Sequence, residues 1–290
     1  MSIEELGVLV GVDGSACGDQ ALDWAASDAA ARRTGLAVMT VSDLPRIADV
    51  PLSADVMVAA MDEARRTAGA GAARARQLTP GVVVEARVTS GNPAGELLRM
   101  AVGVDEVVVG SRGHGGFAAL MLGSVAGHVA AHAHCPVVVV RGHAAAGGRV
   151  VVGADGSERG EAALEYAFAY ADRHGLPVHA LSVYAPPMVP GPSSLAPALP
   201  YSGTEMTPIR DTVARRTAET VEHWSAKFPN VRATWAVDKG SPARLLVQAS
   251  EHTSLLVVGS HGHGELAGMV LGSVSQAAVR HAHCPVAVVH

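Results

Sequence analysis

Aromatic residues are scarce in this chain, at 3% of 290 residues against 49% hydrophobic residues in all. Its cores must therefore be filled by Val, Leu, Ala and Ile, a set that suits short strands between alanine-rich helices. Lysine occurs only as Lys227 and Lys239, and the formal net charge is −5, which leaves no basic footprint for nucleic acid. The three cysteines, Cys17, Cys135 and Cys284, form neither an even set nor a C-x-x-C pair. They are expected as reduced thiols. No apolar run reaches the length of a membrane span, and Met1–Leu6 is acidic rather than basic-then-apolar. Neither a spanning helix nor a secretory signal is expected, and a cytoplasmic location is. The lysine-bearing phosphate loop G-x-x-x-x-G-K-[ST] is also missing.

What is present is one glycine-rich cassette, twice. Residues 107–125 read VVVGSRGHGGFAALMLGSV and residues 256–274 read LVVGSHGHGELAGMVLGSV. In each, a short apolar run enters G-x-x-G, nine residues follow, and Gly-Ser closes the segment. A strand that empties into glycines ahead of a helix start exposes several backbone N–H groups at one place, a device for holding an anion such as phosphate. One glycine run makes an ordinary turn; two in matched surroundings argue for a site.

The repeat covers most of the chain. Val10–Ser15 returns as Val152–Ser157, Gly91-Asn92-Pro93-Ala94 as Gly240-Ser241-Pro242-Ala243, and His132–Val137 as His281–Val286. A period of about 145 residues is too long for a solenoid and fits two similar domains in tandem, 1–143 and 149–290, joined by small residues at 144–148. Within one copy the expected order is a strand at Val8–Val12, a helix to Arg32, a strand at Leu36–Val41, and a helix around Met57–Leu78. There follow a strand at Val82–Val88, a helix opened by Pro93, a strand at Glu106–Val109, a helix from Ser124 to His132, and a last strand at Val137–Val140. The second copy is expected to place strands near Val150–Ala154, Val178–Val183, Val231–Val237, Leu255–Val258 and Val286–Val289, with a longer proline-rich loop at Ala185–Thr207. Strands that alternate with helices imply a parallel, doubly wound α/β sheet. Order 3-2-1-4-5 sets Asp13 and Gly110 on one crevice at the carboxyl ends of strands one and four. The last strands, apolar and at a sheet edge, are expected to pair the two domains.

Together these residues resemble the universal stress protein family, in its tandem two-domain form and nucleotide-binding branch. The resemblance implies an ATP site with Mg²⁺ in each half. In the first, the glycine segment is Gly110, Ser111, Arg112, Gly113, His114, Gly115 and Gly116, and with Gly123, Ser124 and Val125 it would hold phosphates and ribose. Gly11 and Asp13 fall at the adenosine end, and Val41 meets the adenine. In the second, the segment is Gly259, Ser260, His261, Gly262, His263 and Gly264, followed by Gly272, Ser273 and Val274, with Gly153, Asp155 and Val183 at the nucleoside end. The resemblance also implies a homodimer of chains and a protein partner that the residues do not identify.

Asp13 and Asp155 also suit a plain Asx-turn. The His-Ala-His-Cys clusters lack the separated ligand pairs of a zinc site and read as structure. Trp24 and Tyr166, at matching helix positions, read as core. Arg112 supplies charge and Asp13 could meet a metal, but no general base is evident. The leading expectation is an ATP-binding stress-response or signalling regulator that acts through conformation or partner contacts. A slow ATPase or phosphotransfer enzyme, and an interaction module with relic sites, stay open.

Overall fold

The computed structural model describes residues 6–43, 53–113, 122–142, 144–145, 147–184, 188–189, 199–200, 206–262 and 271–290. The first half runs β1 (Val8–Gly11), α1 (Ala16–Arg32), β2 (Leu36–Ser42), α2 (Ala54–Leu78), β3 (Val84–Ser90), α3 (Pro93–Ala101), β4 (Glu106–Gly110), α4 (Ser124–His132) and β5 (Val137–Val140). The second half runs β6 (Arg149–Gly153), α5 (Glu158–His174) and β7 (Val178–Tyr184), then a short antiparallel pair, β8 (Met188–Val189) and β9 (Leu199–Pro200). It continues through α6 (Met206–Lys227), β10 (Ala233–Lys239), α7 (Pro242–Ala249), β11 (Thr253–Gly259), α8 (Ser273–His281) and β12 (Val286–Val289).

Each half is a five-stranded parallel sheet in the expected order, β3-β2-β1-β4-β5 and β10-β7-β6-β11-β12. The two are one ten-stranded sheet, because β5 pairs antiparallel with β12 around Val138 and Ala287. These strands are apolar throughout because both faces are covered. One face, with Val8, Val10, Val150 and Val152, lies in the layer of α1, α2, α5 and α6, and the other, with Leu9, Val107, Val109, Leu256 and Val258, in the layer of α3, α4, α7 and α8. Both apolar layers run unbroken from one half into the other.

Helix starts follow the sequence. Ser15, Ser53, Asn92 and Ser157 each cap a helix by accepting from a backbone N–H in its first turn. Two expectations shift. Strands three of the two halves begin at Val84 and Ala233 rather than Val82 and Val231. The reason is that Val82 N donates to Thr79 O and Val231 N to Phe228 O, which closes a turn behind the preceding helix. Helix α2 starts at Ala54, ahead of Met57, because Ser53 supplies its cap. Trp24 and Tyr166 pack in the core as expected, at the place where the two halves meet: Trp24 stacks on Tyr170 at 5.8 Å, and Tyr166 reaches Glu106 of the first half.

Candidate functional site

At the carboxyl ends of β1 and β4, adjacent strands whose following helices leave on opposite faces, the first half opens a cavity of about 580 Å³. The second half has its counterpart, about 390 Å³, at the ends of β6 and β11. Nine of the residues expected in the first site line the first cavity: Gly11, Asp13, Val41, Gly110, Arg112 and Gly113, with Gly123, Ser124 and Val125. The second cavity is lined by Gly153, Asp155, Val183, Gly259, His261 and Gly262, with Gly272, Ser273 and Val274. Ser111 and Ser260 are buried and line neither cavity. Their N–H groups bond the last strands at Val140 O and Val289 O, and their carbonyls accept from Gly123 and Gly272. They hold the cassette ends in place. His114, Gly115, Gly116, His263 and Gly264 lie outside the described residues.

Glycine is required where the backbone comes close. A Cβ on Gly110 would stand 2.6 Å from Cys17 O, so β4 runs hard against the first turn of α1. A Cβ on Gly113 would strike Asp13 Oδ2, and one on Gly262 would strike Asp155 Oδ2. Each Asp thus reaches from the end of its half's first strand across to the cassette. Its other oxygen is spoken for locally: Asp13 Oδ1 accepts from Ser15 N at 3.0 Å and Ser15 Oγ at 2.6 Å, and Asp155 Oδ1 from Ser157 N at 3.0 Å and Ser157 Oγ at 2.7 Å. The Asx-turn is real, and it aims the second oxygen at the glycine segment.

Helices α4 and α8 begin differently from α1, α2, α3 and α5. Their N-cap positions are Gly123 and Gly272, with no side chain bonded to the first-turn N–H groups. Those first turns, Ser124–Ala126 and Ser273–Ser275, line the cavities. Unfilled N–H donors at the positive end of a helix dipole favour an anion there. Basic side chains gather at the same corner. Arg112 lines the first cavity; burial, with Arg112 close by, holds Arg141 below the usual arginine range. Near the second, burial together with His134, His261 and Arg159 pushes His290 down to about 4.

The opposite end of each cavity is apolar. Met39, Leu97 and Val109 line the first, and Leu181, Leu246 and Val258 the second, with Pro93 and Pro242 at the mouths of α3 and α7. The residue-by-residue reading omitted these. Met39 and Leu181 were within reach of it, because they stand two places before Val41 and Val183 and so share a strand face. Leu97 and Leu246 come from a separate helix and carry no local mark. Each cavity therefore has one end for a flat apolar group and one for negative charge.

A family model for the universal stress protein family matches residues 7–141 and 148–290. A universal stress protein of Mycobacterium tuberculosis strain H37Rv is 32% identical over 292 residues, covering 97% of this chain and 96% of that protein. One from Mycolicibacterium smegmatis is 33% identical over 302 residues, covering 99% and 98%. The crystal structure of a universal stress protein from Archaeoglobus fulgidus superposes with a TM-score of 0.71 at 21% identity, over 98% of this chain and 97% of that one, and shows the same fold.

Proposed function

This chain belongs to the universal stress protein family as a tandem of two such domains, and we propose that it binds ATP in both cavities and acts as a nucleotide-dependent regulator. The observation that carries the reading is the pairing, in each half, of an uncapped glycine-led helix start with an apolar pocket across the same cavity. Phosphates suit the first end and a purine base the second. The phosphates are held by backbone N–H groups, Ser124 and Arg112, or Ser273 and His261, in place of the lysine of a phosphate loop. Among the described residues no group of three or more His, Cys, Asp or Glu could hold a metal. Mg²⁺ therefore fits as an ion carried on the phosphates and met by Asp13 or Asp155, supplying charge neutralisation.

A regulatory role is supported by where the cassette helices lead. Arg141, just after β5, donates to Val279 O of α8 at 2.7 Å, so the helix that starts at the second cavity is fastened to the first half. Nucleotide seated at Gly272–Ser273 biases that joint, and through it the contacts offered to a partner, a second copy of the chain included. Adenine nucleotide that co-purifies with the protein, or calorimetric binding at millimolar ATP, tests the reading; no adenine nucleotide by either measurement sinks it. A turnover assay separates a binder from a slow ATPase, and light scattering at micromolar protein with ATP tests the dimer.

A further inference from the structure

A third cavity, of about 600 Å³, lies between α4 of the first half and α8 of the second. Four basic or imidazole side chains from both halves line it: His128 and His132 on α4, Arg280 and His281 at the end of α8. None of the described residues that line it is acidic. The rings of His128 and His132 stack at 4.1 Å, and His132 Nδ1 donates to His128 O at 2.9 Å, which leaves Nε2 of His132 for a ligand. The floor meets the first cavity at Leu122, Gly123 and Ser124, so the uncapped start of α4 borders both.

The two copies differ at this cavity. Counting from the shared Gly-Ser, Gly127 matches Gln276, His128 matches Ala277, and Ala131 matches Arg280. Gly127 lines the cavity, whereas Gln276 in the matching place donates to Leu271 O at 2.9 Å. Cations in the last turn of a helix suit its dipole, which accounts for Arg280, His281 and His132 singly. It does not account for His128 in mid-helix, nor for a groove lined from two helices without a carboxylate.

We propose that this groove is a binding site for a polyphosphate chain, separate from the two cavities at the strand ends. His128 and His132 stand one helical turn apart, about 6 Å along α4, and Arg280 faces the same space from α8. Donors spread along a trough of this volume suit two or three linked phosphoryl groups better than one small anion. Two sources share this chemistry: free polyphosphate, and the phosphate tail of a nucleotide that crosses the Gly123–Ser124 wall.

The test titrates inorganic tripolyphosphate, without nucleotide, into the full chain. Wild-type protein is expected to bind it. The double variant Arg280→Gln, His281→Asn removes two exposed side chains that do not touch the first cavity, and should weaken binding at least about tenfold. His128→Asn should weaken it in the same direction. Adenosine affinity, read in the same variants, stays unchanged. If the double variant also loses affinity for ATP, the tail is the occupant; if ATP affinity holds, free polyphosphate is. No tripolyphosphate binding by the wild type, or equal binding by the double variant, overturns the proposal. Failure of adenosine and ATP to bind would sink the reading of the strand-end cavities and leave this one standing.

Discussion

The hydroxyl of Tyr166 donates a 2.5 Å hydrogen bond to Oε2 of Glu106, joining α5 of the second half to the first residue of β4 in the first. Arg32 reaches the same oxygen at 2.6 Å, while Oε1 is buried with no hydrogen-bond partner among the described residues. Asp28 sits beside them, bonded by Arg32 and by His174 of the second half at 2.9 Å. Burial, which opposes its charge, is outweighed by His174 and Arg32, so Asp28 lies below the usual carboxylate range. For Glu106 the balance goes the other way: burial and the charge on Asp28 push it up to about 8, against Arg32 and Tyr166.

A raised carboxyl favours the folded state most when it is protonated in both states. The stability Glu106 contributes is therefore complete below about 4.5 and is lost as pH rises toward about 8. Thermal unfolding across that interval should show the decline in wild-type protein. Glu106→Gln keeps the size and a donor for the buried space but does not titrate, so its curve should lack that component. Equal slopes for the two proteins would show that Glu106 does not carry the proton.

Gly113→Ala should weaken ATP binding at the first cavity, and Gly262→Ala at the second, each independently. The added methyl strikes the Asp13 or Asp155 carboxylate, which Ser15 or Ser157 pins by two hydrogen bonds. Overpacking of this kind costs about 1–3 kcal/mol, or about fivefold to 150-fold in affinity. Calorimetry should report one weakened site in each single variant and two in the double, with the fold retained by circular dichroism.

The two cavities should differ in affinity. Arg112 lines the first, whereas His261 holds the matching place in the second. A guanidinium grips phosphate with a fork of donors, and an imidazole offers a single ring N–H toward it. With Gly262→Ala weakening the second cavity, ATP should therefore bind the first more tightly than it binds the second when Gly113→Ala weakens the first. Calorimetry on the two single variants checks this. Equal affinities would remove Arg112 and His261 from the phosphate contacts.

Gly142→Ala should loosen the seam between halves. Gly142 sits at φ +56, and a Cβ there would overlap His283 O, where the chain leaving β5 crosses the second half. The expected cost is about 2 kcal/mol, seen as a lower unfolding midpoint and faster amide exchange in β5 and β12. Gly147, also at positive φ but with open space around it, is the control.

Strand order, the two cavities and about half of their linings were legible because the sequence states them twice. Runs such as Val107–Gly110 and Leu256–Gly259 read as buried parallel strands, and the matched glycines marked where backbone had to come close. The pairing of β5 with β12 was expected from an apolar edge that needs a partner, whereas its antiparallel sense was not. What stayed hidden was whatever breaks the repeat. Glu106 opens a strand whose counterpart opens with Thr253, and nothing local marks it as fully buried beneath Tyr166. Leu97 and Leu246 reach the cavities from helices whose apolar faces otherwise serve the core. Such contacts are set by which surfaces meet in three dimensions, and a linear pattern records only the spacing within one element.

The seam between β5 and β12 also fixes a stoichiometry. Two halves that differ at their cavities are made in one covalent piece, so their pairing is intramolecular and does not depend on encounter. Dilution does not separate them, and neither half can be made in excess of the other. An assembly of two separate chains falls away with the square of concentration when scarce; here the number of complete pairs of cavities equals the number of chains. A cell holding few copies of this protein therefore holds the same fraction of finished, two-cavity units as a cell holding many.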